Sequence, residues 1–262
     1  MDPVVSIVMP SFQQARFVEA AARSVLTQTV PHELIVLDPG STDGSREILQ
    51  RLAAEAPDRV RLKFEPDDGQ SDAINRGMAL ARGEILAWLN SDDLLRPGAL
   101  AHVVERLAGR SGPAWLYGRA GMIDGDDRPT ARFVVAYKNW RSRRFSYHKL
   151  LTENFIPQMG VFWNRAMWDA AGPLDRDLHL DMDYDLWFRF AKLADPIVSR
   201  AELAVFRVHD AAKGSVRTAA QLADAYATAR RHAGHGIRAR FALCQHRLYG
   251  FRTALAYRFL KP

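Results

Sequence analysis

The alternation of short apolar runs with amphipathic segments over the first 110 residues most constrains what this chain can fold into. Runs rich in aliphatic and β-branched residues predict strands at 4–9, 34–37, 60–64 and 84–89. Apolar residues at helical spacing predict helices at 17–26, about 42–52, 71–81 and 97–107. This alternation indicates an α/β fold with a mostly parallel central sheet flanked by helices.

Polar clusters directly follow three of the four predicted strands. They are Pro10-Ser11-Phe12, residues 38–45, and Asn90-Ser91-Asp92-Asp93. In open α/β sheets, ligands bind beyond the carboxyl ends of the strands, so we expect the functional site at these clusters. The chain contains neither GxGxxG nor GxxxxGK[ST]. The dinucleotide fingerprint and the P-loop ATPases are therefore excluded.

Carboxylates dominate the predicted site. Asp92 and Asp93 come directly after an apolar strand, where adjacent acids either hold a divalent cation such as Mg²⁺ or Mn²⁺ or cap the next turn. Asp38 either accepts hydrogen bonds from a base or ribose, or only stabilises its own turn.

Further candidates lie in the second half of the chain. Asp181, Asp183 and Asp185 alternate at the start of a helix predicted over 183–193. One of them facing a cleft would act as a general base, whereas the others would be caps or solvated. Arg207 and His209 share one face if the chain is extended. They either bind pyrophosphate or complete a metal shell, and the alternative for the lone histidine is a structural role.

The net charge of +6 is unevenly distributed. Residues 213–262 contain ten Lys and Arg but one acid, leaving 26 basic and 29 acidic residues in 1–212. In the predicted last helix, apolar residues recur at spacings of three and four; they are Ile237, Phe241, Cys244, Leu248, Phe251, Leu255 and Phe259. This pattern is typical either of a basic amphipathic helix on an anionic membrane or of a helix docked on the body. The aromatic and basic stretch 137–149 is either a loop that contacts the acceptor or a solvated surface.

Composition and the N-terminal sequence indicate where in the cell the protein is expected. The single cysteine, Cys244, excludes an internal disulfide. No apolar run reaches the length of a membrane span, and the N-terminus lacks the basic region of a signal peptide. We therefore expect a cytoplasmic protein, with peripheral attachment to the inner face of the cell membrane as the option that the basic tail allows.

The order of these segments is more specific than any one of them. VSIVMPSF, LIVLDPGSTDGS, GQSDAINRGMALARGEILAWLNSDDLLRPGAL, MDYDLWFR and FRVH together resemble the family 2 glycosyltransferases of GT-A fold, over residues 4–210. The resemblance implies an inverting transferase that uses a nucleotide-sugar, most often a UDP-sugar, and Mn²⁺ or Mg²⁺. The acceptor it implies is a glycan or lipid-linked hydroxyl in polysaccharide or cell-envelope biosynthesis.

The resemblance also implies residue roles on the donor side. Ser11 and Asp38 would contact the nucleoside, with Phe12 near the base. Asp72 would lie in the segment that closes the nucleotide pocket, and Asp92 would face the ribose.

Catalytic roles follow in the same way. Asp93 would ligate the metal, His209 would reach the metal or the diphosphate, and Asp183 would be the catalytic base. Two positions depart from the family pattern. Pro39 replaces the usual acid or glycine and removes an N–H, and Met182 replaces the usual glutamate before Asp183.

These assignments predict a GT-A domain over 1–212 and a basic helical tail over 213–262. Residues 1–110 would bind the nucleotide-sugar and residues 111–212 the acceptor. A nucleotidylyltransferase would need a Gly-rich, Arg-containing loop after the first strand, and Pro10-Ser11-Phe12 stands there instead. A nucleotide-binding module or a nucleic-acid-binding protein using the basic tail is the alternative. It leaves the acids at the strand ends unexplained, so we expect no nucleic-acid partner.

Overall fold

The computed structural model describes residues 2–209 and 219–260, with side chains described to Phe251 in the last helix. The strands are β1 Val5–Pro10, β2 His32–Leu37, β3 Val60–Lys63, β4 Ile85–Trp88, β5 Leu94–Leu95, β6 Trp115–Ile123, β7 Val161–Asn164 and β8 Ile197–Arg207. The helices are α1 Val18–Leu26, α2 Ser45–Glu55, α3 Gln70–Leu80, α4 Ala99–Leu107, α5 Arg132–Arg141, α6 Tyr147–Leu150, α7 Arg165–Ala171, α8 Met182–Leu193, α9 Ala219–His232 and α10 Ile237–Leu260. A short 3₁₀ turn covers Gln158–Gly160.

The strands form one sheet in the order β3-β2-β1-β4-β7-β6-β8-β5. The first four are parallel neighbours, as are β6 and β8, while β7 pairs antiparallel with both β4 and β6, and β5 pairs antiparallel with β8. The predicted α/β class with a mostly parallel sheet is confirmed. Of the antiparallel strands, β7 lies in the second half of the chain, where the sequence has no regular alternation, and β5 is a two-residue strand directly after Asp93.

Register places the carboxyl ends of three strands at one edge of the sheet. Pro10 lies opposite Leu37, and Val8 lies opposite Trp88. The segments that begin at Ser11, Asp38 and Asn90 therefore leave the sheet side by side. This is the arrangement that the strand–helix alternation predicts.

Helices cover both faces of the sheet. One apolar cluster joins the sheet to α1, α2 and α4, and the other joins it to α3, α7 and α8. The second cluster contains Trp88, Trp115, Trp163 and Trp187, all fully buried. Trp187 in α8 stacks on Trp88 in β4, with ring centroids 5.8 Å apart. This packing fixes the start of α8 beside the end of β4.

The predicted start of α2, at about residue 42, is wrong. Ser41 and Thr42 do not begin the helix; it starts at Ser45 after Gly44, whose φ is 100°. The Asp43 carboxylate accepts the Ser45 N–H instead. Ser41 serves the preceding loop, because its hydroxyl accepts the Gln13 N–H at 2.8 Å.

The C-terminal helices pack on the body. Ala229 of α9 and Ala242 of α10 are fully buried in the same apolar cluster as Trp187. The predicted start of the tail at 213 lies outside the described residues, as do the side chains of Leu255 and Phe259. Among the helices of the described chain, none combines the length and apolarity needed to cross a membrane.

Candidate active site

Two buried oxygen atoms lie unpaired where β1 and β2 end. The Ser11 N–H donates to the Leu37 carbonyl at 2.9 Å, which draws the two strand ends together. Asp38 Oδ1 accepts the N–H groups of Gly40 and Ser41 and the Nε–H of Arg46. Within the described part of the chain, Ser11 Oγ and Asp38 Oδ2 are buried and have no hydrogen-bond partner. An unpaired buried polar group costs about 1–3 kcal/mol, so a ligand that pairs with these atoms is favoured.

The loop after Ser11 presents an aromatic ring. Phe12 is 58% exposed beside these buried oxygens. The next residue, Gln13, has φ 54°, a conformation that is strained for residues other than glycine. The Gln13 N–H is held by Ser41 Oγ, and its side chain bonds to Thr42. These contacts hold the loop between the ends of β1 and β2 in place.

Asp92 and Asp93 have different surroundings. Asp93 is fully buried; its Oδ1 accepts the Arg207 N–H at 3.0 Å, and Oδ2 accepts from Asn90 Nδ2 at 3.4 Å. Burial, followed by the charge of Asp92, raises the pKa of Asp93 well above its usual value. Asp92 is partly exposed, and its Oδ2 lies 3.0 Å from His209 Nε2. The structure therefore brings Asp92, and not Asp93, to the predicted histidine.

Arg207 belongs to the framework of the site. Its guanidinium is almost fully buried and donates to the Asp92 carbonyl at 2.9 Å and to Asp127 Oδ1 at 2.5 Å. The same group lies 4.8 Å from the ring of Phe17, which also contacts the His209 ring at 4.5 Å. These contacts support a structural role for Arg207.

The donor set at Asp92 and His209 fits a cation that also binds substrate. No group of three or more His, Cys, Asp or Glu suited to a metal ion occurs among the described side chains, which are those of residues 2–209 and 221–251. One carboxylate oxygen and one imidazole nitrogen are ligands that Mn²⁺ and related ions accept. Ions of this kind commonly use one or two protein ligands and complete their shell with phosphate oxygens and water. The pair suits a cation that arrives with a diphosphate.

Asp183 lies in the first turn of α8 and lines a cavity of about 850 Å³. Its Oδ1 accepts the Tyr184 N–H at 2.7 Å, and its Oδ2 lies 3.4 Å from Asn154 Nδ2. Met182, where relatives would carry a glutamate, is buried and accepts from Ser71 Oγ at 2.9 Å. The α8 N-terminus is thereby joined to the start of α3, and Asp183 remains at the cavity wall.

The three alternating acids take different positions. Asp181 occupies the N-cap position of α8 and lines the cavity with Asp183. Asp185 is buried and binds Arg189 Nε at 2.8 Å and His232 Nε2 at 2.7 Å. Its role is to hold α8 against α9.

Asp72, which is predicted to lie at the nucleotide pocket, has two arginines beside its carboxylate. It lies in the first turn of α3, 3.8 Å from Arg76 and 3.6 Å from Arg176. Its Oδ2 also accepts the Asp68 N–H at 3.3 Å. These partners compensate its charge.

Sequence reasoning missed the amide side chains at the polar end of the cavity. Gln70 donates to Asn90 Oδ1 at 2.9 Å, and Gln158 donates to the Trp88 carbonyl at 2.9 Å. Together with Asn154 they line the cavity beside Asp183. Gln70 and Asn90 lie inside a segment that the family resemblance covers, so the resemblance could have indicated them. Asn154 and Gln158 follow the irregular middle of the chain, where no local pattern marks them.

The comparison with known families decides the classification. The family model described as Glycosyl transferase family 2 matches residues 6–169, which include β2 to β4, all of β1 but its first residue, and the Asp92–Asp93 segment. The chain belongs to glycosyl transferase family 2. Asp183 and His209 lie beyond the matched range. Asp183 lines the same cavity as Asn90 of that range, and His209 contacts Asp92.

Relatives within family 2 cover most of this chain. It is 35% identical over 217 residues to an uncharacterised glycosyltransferase of Nostoc sp.. The aligned region covers 79% of this chain and 65% of the relative. It is 27% identical to the chondroitin synthase of Pasteurella multocida over 73% of this chain, but spans only 19% of that protein. The chain thus spans less than two thirds of these relatives.

A solved structure shows the same fold. The mannosyltransferase of Pyrobaculum calidifontis, in complex with GDP-mannose and Mn²⁺, superimposes with a TM-score of 0.68 and 21% identity. The match covers 98% of this chain and 76% of the mannosyltransferase. The eight-stranded sheet and its flanking helices are therefore a GT-A fold.

Proposed function

We propose that this family 2 protein transfers a sugar, with inversion, from a nucleoside diphosphate donor to an acceptor hydroxyl. One observation carries the proposal: Asp183 lines a cavity that Asn90 and Val208 also line, and these residues neighbour Asp92 and His209. A candidate base and a candidate diphosphate site thus border the same space. We expect a UDP-sugar as the donor. A GDP-sugar is the alternative, because the mannosyltransferase of similar fold was solved with GDP-mannose.

The donor nucleoside pairs with the buried oxygens that have no partner. Asp38 Oδ2 accepts an N–H of the base or a ribose hydroxyl, and Ser11 Oγ donates to or accepts from the same nucleoside. Phe12 lies beside them with its ring exposed to the nucleoside pocket. Asp72 stands further along, at the helix start that closes the pocket.

The divalent cation, Mn²⁺ or Mg²⁺, binds at Asp92 and His209. This revises the sequence expectation that Asp93 is the ligand, because both Asp93 oxygens are turned to Arg207 and Asn90. Asp93 then acts as the buried support that fixes Asp92 and the end of β8. A cation held there neutralises the charge on the leaving diphosphate.

Asp183 acts as the general base. It takes the proton of the acceptor hydroxyl while that oxygen forms its bond to the anomeric carbon of the donor sugar. The bond from that carbon to the diphosphate oxygen breaks on the opposite side, so the configuration inverts and the nucleoside diphosphate leaves with the electron pair. Base assistance of this kind contributes about 10²–10⁴-fold to the rate. The Asn154 amide, 3.4 Å from Asp183 Oδ2, holds the carboxylate in position.

The acceptor occupies the cavity beside Asp183. Its amide side chains suit sugar hydroxyls, since Gln and Asn both donate and accept. The family resemblance implies a glycan or lipid-linked acceptor in polysaccharide or cell-envelope biosynthesis. The likeness to a chondroitin synthase supports the polysaccharide class.

Calorimetry and a transfer assay test the proposal. UDP and GDP are titrated into the protein with Mn²⁺ and with a chelator, and nucleoside diphosphate release from UDP- and GDP-sugars is followed with glycan acceptors. We expect one nucleotide to bind in a Mn²⁺-dependent way and its sugar conjugate to be consumed. Absence of binding by either nucleotide at millimolar concentration would overturn the donor site.

A further inference from the structure

Exposed apolar side chains are concentrated on two helices, α5 and α10. Among the described residues, eleven large hydrophobic side chains are exposed, and eight of these belong to α5 or α10. They are Phe133, Val134, Tyr137 and Trp140 of α5, and Ile237, Phe241, Leu248 and Phe251 of α10. Scattered exposed apolar residues are normal, but such a concentration marks an interaction surface.

Helix α5 has no buried residue. Phe133, Tyr137 and Trp140 follow one another at spacings of four and three, which places them on one face. Phe133 is 94% exposed and Trp140 is 59% exposed. Since the helix contributes nothing to the core, its apolar face is available for an external partner.

Helix α10 docks through one face and exposes another. Ala242 and His246 are buried, and His246 Nδ1 lies 3.0 Å from the Leu151 carbonyl. The described part of the stripe predicted from sequence, up to Phe251, is exposed to solvent, with Ile237 85% exposed and Phe251 66% exposed. The two interpretations of this helix are therefore compatible, because docking uses positions that the exposed stripe does not.

The two helices border a common space. Tyr137 and Arg141 of α5 line a second cavity, of about 360 Å³, together with Gln245 and Tyr249 of α10. Both helices also line the larger cavity that contains Asp183, through Phe133 and Tyr249 among others. Because Phe133 lines that cavity and is nevertheless exposed, it lies at the rim.

The segments that form α5 and the described part of α10 carry an excess of positive charge. From residue 131 to 152 the chain contains six Lys and Arg and no acid, and from 237 to 251 it contains three Arg and no acid. Arg143, Arg144, Arg238 and Arg240 are all exposed. Exposed aromatic and aliphatic side chains bordered by arginine are typical of segments that lie in the headgroup region of an anionic bilayer.

We propose that α5 and α10 together form a docking surface for an anionic lipid bilayer, with the rim of the Asp183 cavity next to the lipid. Aromatic rings enter the acyl boundary, and the arginines bind lipid phosphates. The acceptor site would then be presented to molecules that are anchored in the membrane. The docking itself does not depend on the sugar transfer proposed above.

Vesicle co-sedimentation of the full chain tests this surface without any nucleotide present. Vesicles of phosphatidylcholine are compared with vesicles that also contain phosphatidylglycerol. We expect the wild type to bind the anionic vesicles, and to bind them less as salt rises, because salt screens the arginine contribution. A wild type that stays in the supernatant with both vesicle types would overturn the proposal.

Variants distinguish binding through this surface from nonspecific adsorption of the protein to vesicles. Trp140→Ser and Phe241→Ser should each weaken binding by about tenfold, through loss of buried apolar area. Arg238→Glu and Arg240→Glu should each weaken it by at least about fivefold. Leu193→Ser and Arg200→Glu alter exposed residues outside the surface and should bind as the wild type does.

Two results would point to another occupant and contradict the proposal. The first is a dimer in analytical ultracentrifugation that Trp140→Ser or Phe241→Ser dissociates while vesicle binding is absent. The second is retention of single-stranded oligonucleotides in filter binding that Arg238→Glu abolishes, again without vesicle binding. Circular dichroism of each variant checks that these exposed substitutions leave the fold intact.

Discussion

His209 Nε2 lies 3.0 Å from Asp92 Oδ2, although 117 positions separate the two residues in sequence. The contact joins the end of β4 to the segment after β8. It also turns Asp92 toward a second metal-compatible donor, while the neighbouring Asp93 is buried against the Arg207 N–H. Two adjacent residues thus carry a partly exposed carboxylate beside a histidine and a fully buried one that accepts a backbone N–H.

This relationship predicts different phenotypes for two adjacent aspartates. Asp92→Asn and His209→Gln should each abolish the Mn²⁺-dependent gain in nucleoside diphosphate affinity, by about tenfold or more. Asp93→Asn should lower the melting temperature and retain that gain, because it disturbs a buried hydrogen bond. Calorimetry with Mn²⁺ and with chelator measures the first effect, and thermal unfolding measures the second. Loss of the Mn²⁺ effect in Asp93→Asn alone would restore Asp93 as the ligand.

The unpaired hydroxyl of Ser11 predicts a loss of affinity without a loss of stability. Ser11→Ala removes no hydrogen bond of Ser11 Oγ within the described protein, so we expect unchanged unfolding but about fivefold to tenfold weaker nucleotide binding. Ser6→Ala on the same strand is the matched control. Ser6 Oγ donates to Glu33 at 2.7 Å and accepts the Gly83 N–H, so its removal should lower stability and leave affinity unchanged. Equal destabilisation by both variants would assign Ser11 a structural role.

Asp183→Asn should reduce transfer by about 10²–10⁴-fold while donor binding stays intact. The amide retains the size of the carboxylate but cannot take the proton of the acceptor. Product formation and donor titration are measured on the same preparation, with the exposed Asp177→Asn as control. Wild-type turnover of Asp183→Asn would exclude it as the base.

Asn154→Ala should lower kcat by about tenfold and leave the KM for the donor unchanged. The amide lies 3.4 Å from Asp183 Oδ2, and its removal leaves the carboxylate less well positioned. Steady-state kinetics at saturating acceptor measure this split. An increase in donor KM with unchanged kcat would place Asn154 in donor binding instead.

Asp185 predicts a pH-dependent stability term. Burial alone would raise the pKa of Asp185, but the hydrogen bond from His232 and the charge of Arg189 outweigh it, so the pKa lies below its usual value. A carboxyl with a depressed folded-state pKa stabilises the fold above its unfolded pKa of about 3.9 and loses that contribution at lower pH. Asp185→Asn should therefore cost about 3–5 kcal/mol in urea unfolding at pH 7, because it removes one partner of a buried ion pair. The difference from wild type should shrink as pH falls below about 4.

The control for this prediction is Asp175→Asn. Asp175 pairs with Arg231 at 3.3 Å, but both side chains are substantially exposed. Exposed pairs contribute about 0–1 kcal/mol, so this variant should unfold nearly as the wild type does at every pH. A difference between Asp185→Asn and wild type that stays constant with pH would contradict the charge argument.

Several features of the site were accessible from sequence because they are local. Strands β1, β2 and β4 each end directly before a polar cluster, and parallel strands bring such ends to one edge of a sheet. Ser11, Asp38 and Asp92 could therefore be grouped without a structure. The family resemblance then added Asp183 and His209, which no local rule connects to that edge.

Tertiary structure alone decided the finer assignments. Asp92 and Asp93 are the same residue type, and only the folded chain shows that Asp93 is buried against the Arg207 N–H while Asp92 lies near His209. Asn154 enters the site through the packing of an irregular segment against α8. Helical spacing likewise revealed the stripe on α10, but not which face docks on the body.

By itself, then, the sequence determined the α/β class, the edge of the sheet that carries the site, and the acidic residues gathered there. These follow from hydrophobic periodicity and from chain order, which act over a few residues at a time. The tertiary structure decided which of the two adjacent aspartates lies beside His209, which amide lies beside Asp183, and which described apolar side chains stay exposed. Each of these depends on burial by residues distant in sequence, and burial is a property of the packed chain.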